Sequence, residues 1–177
     1  MADEEDRVAA YSTALFEVAR AEGSLERVEA ELYQVARAIE QNDDLRSRLT
    51  DQALPVDLRQ GIVEDLLQGR AQPVTVSLVS FVVGAGRARD LPKIIDRMVQ
   101  RTAEDRSEVV GEVRSATPLD DDQQRRLAEA LSAHTGRKVS VKVTVDPQIL
   151  GGIVATIGDT VIDGSVRRRL EQLRESI

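Results

Sequence analysis

The side chains best able to do chemistry are few and scattered along the chain. His134 is the only histidine. As a general base or a metal ligand it needs companions, and it stands late in a helical pattern, just before Thr135-Gly136, with none nearby. Two acidic runs, Asp3-Glu4-Glu5-Asp6 and Asp120-Asp121-Asp122, could gather a cation. Both precede helices, where carboxylates favour the positive end of the macrodipole without any metal. Val79 to Arg89 imitates a strand running into Gly84-x-Gly86, yet Arg89 stands at the third glycine position of a dinucleotide fingerprint and no βαβ pattern flanks it. Those glycines read better as the end of a helix. Asp163-Gly164-Ser165 could cradle a phosphate at a helix N-terminus, but no Lys-Ser/Thr pair follows, and a capped turn is the simpler reading. Without cysteine there are no disulfides, thiolate ligands or thiol nucleophiles, which is compatible with a reducing compartment. These patterns predict no catalytic constellation, no metal and no cofactor.

Composition narrows the class further. Aromatic residues make up 2% of the 177 residues and tryptophan is absent, so a core must be assembled from Leu, Val, Ile and Ala, which suits helix packing and one small sheet. No run of about 18 apolar residues and no basic-then-apolar leader occurs, so the sequence predicts a soluble protein. Helical periodicity begins by Val8, which leaves no room for a transit peptide and suggests a bacterial or already processed form. Residues 1–105 carry 20 acidic and 13 basic side chains, a net of −7, whereas residues 106–177 carry 11 of each. An acidic chain repels phosphate backbones, so nucleic acid is not an expected partner; a basic or amphipathic protein segment suits the N-terminal half.

The elements that position these residues follow from periodicity. Val8, Tyr11, Ala14, Leu15 and Val18 sit at helical spacing, as do Leu25, Val28, Leu32, Val35 and Ile39. Gly23-Ser24 separates the two helices, with Ser24 expected as a cap and Arg27 in the capping-box position that Glu would fill better. Leu45 and Leu49 predict a short third helix; Leu58, Ile62, Leu66 and Leu67 predict a fourth starting near Pro55. Leu91, Ile94, Ile95, Met98 and Val99 predict a last one with Pro92 early in it. Between them, Val74 to Val83 is rich in β-branched residues, and propensity alone favours a strand. Its helical neighbours favour a helix. Near residue 106 the acidic helical pattern ends, and residues 108–115 read as a strand. Asp120 caps a following helix in a box with Gln123, with Leu127, Ala130 and Leu131 on its apolar face.

The C-terminal segment has the densest turn chemistry. Val139, Val141, Val143 and Val145 alternate with polar residues as a half-buried strand that Asp146-Pro147 ends. Gly151-Gly152 supplies a turn or a close approach, residues 153–157 a strand, Gly158-Asp159 a two-residue hairpin loop, and residues 160–162 a third strand. Ser165 is placed to cap a last helix. That helix carries Arg167-Arg168-Arg169 and Arg174, which form either a solvated face or a contact for an acidic partner.

At Asp146, Leu150-Gly151-Gly152, Gly158-Asp159, Val161-Ile162-Asp163-Gly164-Ser165-Val166 and Arg169-Leu170, the sequence resembles the delta subunit of bacterial F-type ATP synthase, the oligomycin-sensitivity-conferring protein family. Tyr11-Ser12-Thr13-Ala14-Leu15-Phe16 is similar to that family's first-helix motif, and Gly86-Arg87 with Leu91-Pro92 to its turn before the last N-terminal helix. Ala85 departs from the family's common Asn. An unrelated helical adaptor could share the bundle but need not share the glycine turns.

The resemblance implies an α+β fold: an N-terminal six-helix bundle, residues 1–105, that binds the catalytic head, and a small α/β domain, residues 106–177, ordered strand-helix-three strands-helix, that binds the peripheral stalk. It also implies that 74–83 is helical. The implied role is that of a non-catalytic stator subunit of a proton-translocating synthase, resisting rotor torque during ATP synthesis. Its implied partners are N-terminal segments of alpha subunits and the b subunits. Its implied place is the cytoplasmic face of the bacterial plasma membrane, peripheral and attached only through the complex; alone it is expected to be monomeric. The implied alpha-binding groove lies between the first and fifth helices, at Tyr11, Ala14, Leu15 and Val18 on one side and Leu78, Phe81 and Val82 on the other. Asp146, Gly151, Gly152, Gly158, Asp159, Asp163, Gly164 and Ser165 are implied to be structural turns.

Overall fold

The computed structural model describes residues 2–149 and 151–165, with side chains from residue 4 onward. Six α-helices come first: α1 (Ala2–Ala21), α2 (Leu25–Gln41), α3 (Asp43–Thr50), α4 (Val56–Leu67), α5 (Pro73–Gly84) and α6 (Leu91–Asp105). They are followed by β1 (Val109–Ser115), α7 (Asp121–Thr135), β2 (Val139–Val145), β3 (Ile153–Ile157) and β4 (Thr160–Asp163). The fold is a helical N-terminal part and a small α/β C-terminal part, as expected. The compact units are Met1–Thr102 and Ala103–Ile177.

In the first unit, Leu15, Phe16, Leu32, Ile39, Val79, Val82, Leu91, Ile94, Ile95 and Met98 form a buried core of aliphatic side chains with one phenylalanine. Removing them from water is the main stabilising term, worth about 1.5–3 kcal/mol for each large side chain. The β-branched segment 74–83 is helix, so its local preference for strand is overridden. Pro73 occupies the first helical turn, where its missing N–H costs nothing. Leu78, Val79, Val82 and Val83 are all buried, so tertiary packing outweighs the tenths of a kcal/mol by which valine disfavours a helix.

The start of α5 is held by a side chain from another helix. Gln72 makes no capping bond with its side chain. Instead the Glu31 carboxylate of α2 accepts the Gln72 N–H at 2.8 Å and the Thr75 hydroxyl at 2.6 Å, and Arg27 donates to its other oxygen at 3.0 Å. Burial alone would push this carboxyl up, but the bonds from Thr75, Gln72 and Arg27 outweigh it and hold Glu31 below its ordinary value. A folded pKa below the unfolded one means that the stabilisation is complete above the ordinary carboxylate pKa and is lost as pH falls through the depressed value. Glu31→Ala is therefore expected to cost about 2 kcal/mol at pH 7 in urea unfolding. The gap to the parent protein should narrow below about pH 4. A gap that does not change with pH would show that the carboxylate charge contributes nothing.

Two expectations need correction. Ser24 occupies the N-cap position of α2 but makes no capping bond, and its Oγ is buried without a partner. The end of α1 sets the local path instead: Gly23 N donates to Arg20 O at 3.0 Å and Ser24 N to Ala19 O at 3.2 Å, leaving Ser24 at ψ 22°, outside the extended geometry a cap needs. Arg27 pairs with Glu31 rather than reaching back. The apolar spacing of α4 does locate a helix, yet its buried side carries Arg59, Val63 and Leu67, while Leu58 is 59% exposed.

In the second unit the sheet order is β2-β1-β3-β4. β1 pairs parallel with β2, Val109 opposite Val139 through Ser115 opposite Val145. It pairs antiparallel with β3, Gly111 opposite Ile157. α7 makes the crossover that a parallel pair requires. Its start is the expected reciprocal box: Gln123 N donates to Asp120 Oδ1 at 2.8 Å and Asp120 N to Gln123 Oε1 at 2.9 Å. Leu131 packs with Val113, Val139, Ala155 and Ile157 over one sheet face. The expected last helix, with Val166, Arg167-Arg168-Arg169, Leu170 and Arg174, lies outside the described residues, as does Leu150.

Candidate functional site

The reactive candidates have structural occupations. Asp120 caps α7, and Asp122 pairs with Arg125 and with Arg126 at 2.8 Å. Glu4 bonds Lys93 at 2.9 Å, a contact that lowers the carboxyl and raises the ammonium. His134 is exposed in the last turn of α7. Ala85 N, Gly86 N and Arg87 N donate to Phe81 O, Val83 O and Val82 O, each at 3.0 Å, so the donors of that glycine turn close α5 and are not presented to a phosphate. Gly86 adopts φ +72°, the left-handed conformation this closure needs. Among the described residues no cluster of His, Cys, Asp or Glu could hold a metal ion, and no helix is long and apolar enough to cross a membrane.

A surface on α1 and α5 leaves apolar side chains in water. On α1, Ser12, Leu15, Phe16 and Ala19 recur at helical spacing and face the core, so the alternate positions Ala14 and Val18 are turned outward, Val18 being 43% exposed. On α5 the same geometry buries Leu78 and Val82 and leaves Phe81 55% exposed. Tyr11 is half-buried and bridges the two helices, its ring 5.8 Å from that of Phe81 at an interplanar angle of 42°. Such tilted pairs are favourable beyond their buried area. Of the seven side chains expected at this groove, Tyr11, Ala14, Val18 and Phe81 reach solvent; Leu15, Leu78 and Val82 are core that fixes the spacing of its walls.

Arg101 of α6 packs on the other flank of α1, a residue that sequence periodicity does not single out because its partners are distant in the chain. Its Nη1 donates to Thr13 Oγ1 at 2.9 Å, Nη2 lies 3.7 Å from Glu17, and the guanidinium stands 5.1 Å from the centre of the Phe16 ring. It fixes the polar flank of α1 against α6 while covering the face of the Phe16 ring.

In the second unit the glycine turns hold the sheet together. Gly152 has φ +81°, and a Cβ there would lie 2.5 Å from Gly164 O and 3.0 Å from Ser165 Cα, so the two turns touch through backbone alone. Gly164 N donates to Ile153 O at 2.9 Å and Ser165 N to Asp163 Oδ1 at 2.9 Å. Asp146 ends β2 by donating its N–H to Ser115 O at 2.8 Å, and its carboxylate accepts Gln148 N at 2.9 Å and meets Arg114 at 3.4 Å. Gly158-Asp159 joins β3 to β4, with Ile157 opposite Thr160.

The family model described as ATP synthase delta (OSCP) subunit matches residues 8–177. The ATP synthase subunit delta of Nocardia farcinica is 42% identical over 164 residues, covering 93% of this chain and 61% of the relative. That of Corynebacterium urealyticum is 41% identical over 165 residues, covering 93% and 60%. The chain thus spans about three fifths of the length of these relatives. A chain in the structure of the Toxoplasma gondii mitochondrial ATP synthase hexamer superposes with a TM-score of 0.55 over 96% of both chains at 21% identity, a likeness of fold.

Proposed function

The chain belongs to the ATP synthase delta (OSCP) subunit family, and from that premise we propose that it is a stator link: residues 1–105 grip the N-terminal segment of an alpha subunit, and residues 106–177 hold the end of the b-subunit stalk. The observation that carries the first half is the exposed apolar surface of Tyr11, Ala14, Val18 and Phe81 between α1 and α5. An amphipathic helix lays apolar anchors at i, i+3, i+4 and i+7 into such a groove, and the small Ala14 side chain leaves room for the partner's backbone. The link performs no reaction itself. Rotary catalysis turns a central shaft, and the head must be kept from turning with it, which demands affinity and stiffness rather than chemistry. The protein then sits at the cytoplasmic face of the membrane, peripheral and attached through its partners.

The purified 177-residue chain mixed with the synthase head and with the soluble b segment is expected to form one complex containing all three on sedimentation. A chain that sediments with neither, or that turns over ATP alone, would overturn the proposal.

A further inference from the structure

We propose that the outward face of α4 is a second docking surface, shaped for a basic amphipathic helix, separate from the α1/α5 groove and not dependent on it. Leu58, Gly61, Ile62 and Asp65 line this face, and with Leu54 and Arg48 they border a shallow, largely apolar depression of about 540 Å³. Leu58 is 59% exposed and Ile62, one turn on, is half-buried, although the opposite face of the same helix buries Val63 and Leu67. Exposed Leu58, between half-buried Leu54 and Ile62 at steps of four, presents an apolar stripe that suits a helix bringing its own apolar row.

Gly61 makes the case specific. A glycine inside a helix destabilises it relative to alanine. At Gly84 a neighbour does stand close: a Cβ would lie 2.6 Å from the Gln60 Nε2 that donates to Ser80 O and would displace that amide. At Gly61 an added Cβ would meet nothing within 4 Å. No contact inside the molecule asks for glycine there, and its bare backbone sits between Leu58 and Ile62, where an incoming helix would approach closely. Charge selects the occupant. Asp57 and Asp65 outnumber the one cation at the border, Arg48, and residues 1–105 carry a net of −7, so lysines or arginines beside the partner's apolar row are favoured over carboxylates.

The test is an amide-shift NMR titration of the full chain. The probe is a synthetic helical peptide with leucines at i, i+3, i+4 and i+7 flanked by lysines; a second copy carries glutamate for each lysine. The lysine peptide is expected to perturb residues 54–65, and the glutamate copy to bind roughly tenfold more weakly. Gly61→Leu should abolish the perturbation of 54–65 and leave any at Tyr11 and Phe81 intact. Gly61→Ala should raise Tm by about 2–4 °C while weakening the peptide. Stabilisation by Gly61→Ala with unchanged peptide affinity would overturn the proposal, and so would perturbation confined to α1 and α5 or loss of the α4 signal in Ala14→Asp. A concentration-dependent dimer of the chain alone that Leu58→Asp dissolves would instead make this face a self-interface, which also overturns it. Perturbation of α4 alone supports the second surface and counts against the groove, so the two readings fail separately.

Discussion

Ala14→Asp is expected to abolish binding of an alpha-subunit N-terminal peptide, with affinity falling by a factor of about 100 or more in titration calorimetry, while the thermal unfolding of the chain is unchanged. Ala14 is exposed in the free protein, so a carboxylate there remains hydrated and costs the fold little. Once an apolar helix covers the surface, the same carboxylate must lose its water with no cation beside it, and that desolvation falls wholly on the complex. The contrast with the neighbouring position makes the result diagnostic. Leu15 is completely buried, so Leu15→Ala should cost about 2–5 kcal/mol of stability before any effect on binding. Undiminished affinity in Ala14→Asp would remove α1 from the interface.

The second large effect is expected at Gly152. Gly152→Val should destabilise the second unit by about 3 kcal/mol or more and abolish retention of the b segment, while the α1/α5 groove keeps its alpha peptide. Two costs act together. The φ of +81° is strained for any residue with a Cβ, and that Cβ would press to 2.5 Å of the Gly164 carbonyl oxygen, a backbone atom that no rotamer change can move. Gly158→Ala is the control, because its φ of +56° has open space around it and only the conformational cost, about 1 kcal/mol, applies. Amide exchange across β1 and β3 separates the outcomes. Protection that survives Gly152→Val would mean that the two turns can part without loss of the sheet.

Much of this architecture is legible in the residue order, and the exceptions have physical causes. The capping box at Asp120 and Gln123 and the hairpin at Gly158-Asp159 are local, so their neighbours in sequence are their partners in space, and the valine alternation of β2 shows in its own residues although its partner strand lies 30 positions away. The helical state of 74–83 is not local: it depends on burial and on a carboxylate 41 positions upstream that receives the Gln72 N–H. Ser24 fails as a cap because the preceding helix has already fixed its backbone angle. At the α1/α5 surface, periodicity gathers Tyr11, Ala14, Leu15 and Val18 on one arc, yet a 100° step per residue cannot say where the core ends and the water begins. Only the packed neighbours divide Leu15 from Ala14. On α4 the apolar spacing marks a helix and misplaces its core side, because Arg59 takes a buried position and Leu58 an exposed one.

β1 occupies the middle of its sheet but is made first. Val139 follows its partner Val109 by 30 positions, and the opposite neighbour, β3, is later still. Until residues 139–157 close on it, this strand has both hydrogen-bonding edges bare and is open to pairing with a foreign strand. Both closures are non-local, so the time the chain takes to bring β2 and β3 back sets how long the centre of its sheet stays unprotected.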